Sequence, residues 1–123
     1  MEASLPQRID FLKLAINLGG NKSTIAHMLE LFIQTTTCSL EKMEKAGHDN
    51  NVILWLQTAH QIKGAAKNIT ARRLAILCEE AETIRSLPHQ QSANVLYNMH
   101  KELALLREEI EEYLGDSKPA TPQ

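Results

Sequence analysis

His60, Lys63 and Gly64 stand at positions i, i+3 and i+4 of the run Thr58-Ala59-His60-Gln61-Ile62-Lys63-Gly64-Ala65-Ala66. On a helix these positions are surface neighbours. One ridge then carries an imidazole, an ammonium and a bare patch of backbone. Glycine inside a helix costs about 1 kcal/mol relative to alanine, so its presence on this ridge implies a use. Lys67 adds a second cation on the same flank. If the following helix packs antiparallel, Glu82 returns towards His60. A carboxylate accepting from Nδ1–H fixes the tautomer and leaves the Nε2 lone pair outward and nucleophilic.

These residue types fit phosphoryl transfer through a phosphohistidine. Imidazole, with an unperturbed pKa of about 6.5, is mostly neutral near pH 7, as a nucleophile must be. The product gathers negative charge on its phosphoryl oxygens, and Lys63 is the nearest group to stabilise it. Gly64 leaves room for a second protein to approach. The chain has no glycine-rich phosphate loop and no obvious Mg²⁺ carboxylate cluster. The phosphoryl donor and the Mg²⁺ are therefore expected on a partner, with no cofactor on this chain and no autonomous kinase activity. His27, His48, His89 and His100 lack such neighbours and read as structural background. No Glu-x-x-His pair of the kind that builds carboxylate metal sites in helical bundles is present.

Five helical segments emerge from apolar periodicity and punctuation. The first spans about residues 6–18, with Pro6 in its first turn and Ile9, Leu12, Ala15 and Ile16 on its inner face, and stops at Gly19-Gly20. Asn21 or Ser23 can cap the second, which carries Ile25, Met28, Leu29, Phe32, Ile33, Leu40 and Met43 and ends near Gly47. Asp49 or Asn50 can cap the third, whose stripe is Val52, Trp55, Leu56, Ala59, Ile62, Ala66 and Ile69. At about 100° per residue His60 falls roughly 120° from the centre of that stripe. The histidine ridge should therefore face outward.

Thr70 is a candidate N-cap for the fourth helix, with Leu74, Leu77, Cys78, Ala81 and Ile84 inside and an end near Ser86-Leu87. Pro88 opens the fifth, whose stripe runs from Val95 to Tyr113 and which Gly115 stops. Helices joined by short loops favour antiparallel neighbours. The expected fold is all-α: an antiparallel up-down four-helix bundle over residues 6–114 with a short additional N-terminal helix. Residues 1–5 read as a flexible N-terminus and residues 115–123 as a disordered or linker-like tail.

Composition agrees with one helical domain. The chain has 123 residues, 43% hydrophobic but only 4% aromatic, so its core must be built of aliphatic side chains. A net charge of −2 offers no footprint for nucleic acid. No apolar stretch approaches the ~18 residues of a membrane span, and the N-terminus lacks a signal-peptide pattern. A cytoplasmic protein is expected, with Cys38 and Cys78 as reduced, partly buried thiols.

The sequence resembles the histidine-containing phosphotransfer (HPt) domains of two-component phosphorelays. The resemblance rests on His60-Gln61-Ile62-Lys63-Gly64-Ala65-Ala66-Lys67-Asn68-Ile69-Thr70-Ala71, followed by Leu74, Cys78 and Glu82. Upstream, Gly19-Gly20-Asn21 and Met28-Leu29-Glu30-Leu31-Phe32 are also similar to family members. The resemblance implies a monomeric bundle with His60 as phosphoacceptor, supported by Lys63, Gly64 and Glu82. It implies receiver domains or a hybrid sensor histidine kinase as partners, docking around the histidine. Leu54, Gln57, Gln61, Ala65 and Asn68 are the candidates for that face. Two positions depart from the family pattern: Lys67 replaces a residue that is usually small, and Thr70 replaces the usual glycine. The competing readings are a helical adaptor that binds receivers without phosphochemistry and a sensor-kinase dimerisation domain. The latter usually carries His-Glu near a proline, whereas Gln61 follows His60 here.

Overall fold

The computed structural model describes residues 8–87 and 90–117. Five helices follow one another: α1 (Phe11–Asn17), α2 (Lys22–His48), α3 (Val52–Asn68), α4 (Arg72–Glu82) and α5 (Gln90–Ser117). α2 packs on α3, α3 on α4, α4 on α5 and α5 on α2. That ring closes an antiparallel four-helix bundle, with α1 as the short extra helix. Its centre is aliphatic: Leu29, Leu40, Met43, Ile62, Leu74, Met99 and Leu106 are fully buried around Trp55.

The three helix ends that feed the short turns use one device. After α1, Gly20 N–H donates to Ala15 O and Gly19 N–H to Ile16 O. After α3, Ala71 N–H donates to Ala66 O and Thr70 N–H to Lys67 O. After α2, Asn51 N–H donates to Ala46 O. These bonds satisfy carbonyls that a helix end leaves open, and they require a left-handed residue just past the end. Gly19, Asn50 (φ 58°) and Thr70 (φ 63°) fill that position.

This device moves two of the expected caps. Asn51, not Asp49 or Asn50, caps α3, its side chain accepting from Leu54 N–H, because Asn50 is committed to closing α2. Thr70 does not cap α4 either. The N-cap is Ala71, which makes no side-chain cap bond. Thr70, where the resemblance leads one to expect glycine, instead holds the left-handed position, and its Oγ1 accepts from Asp10 N–H at 2.7 Å. Asn21 caps α2 as expected, accepting from Thr24 N–H.

α1 differs most from its reading. Asp10 caps it, accepting from Lys13 N–H, so the helix begins only at Phe11 and its seven residues bury Phe11 and Leu14. Leu12 and Ile16 are exposed, at 73% and 70%. Ile9 is buried, but from the segment ahead of the helix. That segment is tied to α5: Arg8 N–H and Ile9 N–H donate to the Glu109 carboxylate, and Phe11 stacks on Tyr113 with ring centroids 4.1 Å apart. α1 therefore sits at the end of the bundle that carries the α3–α4 turn.

α4 ends at Glu82, earlier than expected. α5 runs through Gly115, which meets no neighbouring atoms, to Ser117. The expected roles of residues 1–5, Pro6, Pro88, His89 and the tail from residue 118 lie outside the described residues.

Candidate functional site

The α3–α4 turn returns the chain antiparallel, and buried contacts set the register. Trp55, fully buried on α3, donates its indole Nε1–H to the Ala81 carbonyl at 2.8 Å. A buried indole N–H needs such a partner, and this one fixes the backbone immediately before Glu82. Arg85 then reaches back to the Glu82 carbonyl. The last residue of α4 is thus held beside the middle of α3.

There the Glu82 carboxylate bridges two side chains. His60 Nδ1–H donates to Oε2 at 3.1 Å, and Lys63 Nζ donates to Oε1 at 2.7 Å. Partial burial pushes the Glu82 carboxyl up, but the hydrogen bonds and charges of Lys63 and His60 outweigh it and hold it below the usual carboxylate range. Lys63 is raised above its ordinary value, chiefly by its hydrogen bond to Glu82. An ionised carboxylate only accepts hydrogen bonds, so the shared proton lies on His60 Nδ1. In the neutral ring Nε2 is then the free nitrogen, on a side chain that is 73% exposed. The arrangement presents a tautomer-fixed nucleophile to solvent with an ammonium alongside.

Gly64 faces open space, and a Cβ built there meets nothing within 4 Å. Among the described residues no packing requires a glycine at that place. Gln57, Gln61 and Asn68 are exposed, while Leu54 and Ala65 are half-buried; at about 100° per residue all five lie on one flank of the His60 ridge, with Leu54 and Ala65 farthest round. Lys67 is exposed and makes no hydrogen bond or ion pair with His60, Lys63 or Glu82. It lies instead along a groove with residues of α1 and α4.

Beneath the site Cys78 is fully buried, and burial together with the Glu82 charge pushes its thiol up to about 12. Cys38 is exposed, not partly buried as expected, and both thiols are free. Among the described residues no group of His, Cys, Asp and Glu is arranged to hold a metal ion, and no helix is long and apolar enough to cross a membrane. Sequence reasoning placed Trp55 in the core but missed its hold on Ala81. A lone tryptophan in a helix-only core was the available signal, since its N–H had to find a carbonyl.

The family model for the Hpt domain matches residues 27–116, from within α2 to the end of α5. Among solved structures, the chain is similar to histidine-containing phosphotransfer protein B from Pseudomonas aeruginosa PAO1. The identity is 22%, with 89% of this chain and 96% of that chain covered at a TM-score of 0.77. It is also similar to the HPT domain of a sensor hybrid histidine kinase from Shewanella, at 18% identity, 89% and 95% coverage and a TM-score of 0.71. At these identities the likeness is one of fold. No curated protein sequence matches the chain.

Proposed function

The chain belongs to the Hpt domain family of two-component signalling, and from that premise we propose that it relays a phosphoryl group between receiver-domain aspartates through His60. The observation that carries this reading is the Glu82 bridge to His60 Nδ1 and Lys63 Nζ. In the forward step the Nε2 lone pair attacks the phosphorus of a receiver's aspartyl phosphate. The N–P bond forms, the P–O bond to the aspartate breaks, and the carboxylate leaves with the electron pair. Nδ1 keeps its proton throughout, so the product is a phosphoimidazolium whose positive charge Glu82 stabilises.

Lys63 stands beside the phosphoryl oxygens, able to share its remaining N–H donors with them. Gly64 leaves the receiver backbone free to close on the histidine, with Leu54, Gln57, Gln61, Ala65 and Asn68 around it. The reverse step passes the group to a second receiver. Mg²⁺ and the acyl-phosphate chemistry belong to the receivers, and the chain acts as a relay intermediate without kinase activity of its own. It works as a cytoplasmic monomer, its four-helix ring closed by one chain. A sensor-kinase dimerisation domain is an obligate dimer, and an adaptor would leave the Glu82 bridge without a role.

The test is incubation with a phosphorylated receiver and Mg²⁺. Acid-labile, alkali-stable label is expected on the wild type and none on His60→Gln. Equal labelling of the two proteins sinks the proposal.

A further inference from the structure

A groove of about 820 Å³ opens at the end of the bundle where α1 crosses the α3–α4 turn. Its lining carries five cations, Arg8, Lys13, Lys67, Arg72 and Arg73, against two carboxylates, Asp10 and Glu79. Arg8 is paired with Glu102 at 3.2 Å, and Asp10 is occupied as the cap of α1. Lys13, Lys67, Arg72 and Arg73 are exposed and have no ion pair among the described residues. Against the charges of Asp10 and Glu79 these four leave the groove net positive in a chain of net charge −2, with its cations drawn from three elements.

Two of these cations stand where helix energetics disfavour them. Arg72 and Arg73 open α4, whose first turn holds no acidic residue and whose N-cap makes no side-chain bond. Positive charge at a helix N-terminus opposes the macrodipole. Stability does not account for them, whereas attraction of an anionic surface does.

The groove is continuous with the histidine ridge. Lys67 lies seven residues beyond His60 on the same helix, about 10 Å along the axis. A standard interface of about 800 Å² per partner has a radius of roughly 16 Å, so a protein centred on His60 reaches Lys67 and the groove behind it. The groove is large, its cations come from three separate elements, and Ile76 contributes a half-exposed apolar side chain. That suits a protein surface better than a small anion, which needs convergent donors.

We propose that Lys13, Lys67, Arg72 and Arg73 form an electrostatic anchor at the rim of the docking face, selecting receiver domains with an acidic segment beside their phosphorylated aspartate. The inference rests on the phosphotransfer reading and adds to it the chemistry by which partners are chosen. Such a rim steers encounter, acting on kcat/KM and its salt dependence and not on the chemical step.

The experiment measures transfer to His60 from a panel of phosphorylated receiver domains of differing surface charge, with Mg²⁺. Wild type is compared with Lys67→Glu/Arg72→Glu/Arg73→Glu, with the milder Lys13→Gln/Lys67→Gln, and with Lys42→Glu on α2 as a distant control. For acidic receivers the triple variant is expected to lose tenfold or more in kcat/KM at low ionic strength, with kcat unchanged. The loss shrinks towards nothing near 0.5 M salt, where screening is short-ranged. The double variant loses less and the control nothing. Acids suit the start of α4 at positions 72 and 73 and oppose the dipole at position 67 in the last turn of α3, so the triple variant should keep its Tm, which separates the effect from misfolding. Equal kcat/KM for wild type and both groove variants, with labelling of His60 intact, overturns this inference and leaves the relay standing. Failure of every receiver to label His60 removes the relay, and this inference with it. Saturable binding of wild type to phosphatidylglycerol vesicles or duplex DNA, abolished in the triple variant while transfer is unaffected, reassigns the groove and overturns the proposal.

Discussion

Gly64→Ala should make the protein more stable and less able to receive a phosphoryl group. Gly64 lies in the interior of α3, on an exposed face where an added Cβ meets nothing within 4 Å. The substitution therefore creates no clash and recovers the helix propensity that glycine forgoes, about 1 kcal/mol. For a domain of this size that raises Tm by roughly 3–6 °C. Transfer responds in the opposite sense, because the reacting atoms must come within about 3–3.5 Å and a displacement near 1 Å costs on the order of 100-fold. A methyl group four residues from His60, between two closing surfaces, is expected to slow transfer about tenfold or more, and Gly64→Gln to slow it further. Calorimetry supplies the first quantity and single-turnover transfer from a phosphorylated receiver the second. A fall in Tm would show that α3 is not open at Gly64. Unchanged transfer in Gly64→Gln would refute the assignment of Gly64 as the point of closest approach.

Three further outcomes follow from the same geometry. Glu82→Gln removes the ionised bridge. Glu82 has a lowered folded pKa, so it contributes stability above its unfolded value of about 4.3 that is lost as pH falls through the folded value. The wild type's Tm advantage over Glu82→Gln should thus be full at pH 6–7 and shrink as pH falls from about 4.3 through the lower folded value; an advantage that does not shrink in acid contradicts the bridge. At Thr70, with φ 63° and its Oγ1 bound to Asp10 N–H, glycine should be more stable than alanine by about 1 kcal/mol, reversing the usual helix order; urea melts of Thr70→Gly and Thr70→Ala decide it, and a more stable alanine variant rules out the left-handed turn. Cys38, exposed, should react with a thiol reagent at pH 8 in the native protein, while Cys78, buried and pushed up to about 12, should react only on unfolding; equal native reactivity would show that the α3–α4 core is open.

Much of this protein was legible one residue at a time. The stripe from Val52 to Ile69 fixed which side of α3 faces the core, and the outward ridge of His60, Lys63 and Gly64 followed from helix periodicity alone. Gly19-Gly20 and Asn21 marked a stop and a start because a left-handed closure and an N-cap are local demands with few residue solutions. α1 was misread for the opposite reason. Its seven residues bury only Phe11 and Leu14, too few for periodicity to distinguish from Leu12 and Ile16. The start of α1 depends on Arg8 and Ile9 reaching Glu109, a hundred residues away in the chain. The caps at Asn51 and Ala71 were missed because the preceding residue was already spent on closing the previous helix.

Sequence by itself determined the all-helical class, the outward face of the histidine and the company of a lysine and a glycine beside it, because these rest on contacts within four or five residues. It also placed Glu82 within reach, given an antiparallel return. Only the tertiary structure decided that one carboxylate serves both His60 and Lys63, since that needs Trp55 to hold Ala81 and a left-handed Thr70 to set the turn. The fate of Lys67 belongs there too. Its spacing assigns it to the histidine ridge, and the approach of α1 and the start of α4 also make it part of a charged groove that adjoins that ridge. Side-chain periodicity is a property of one helix, whereas a groove is made by three.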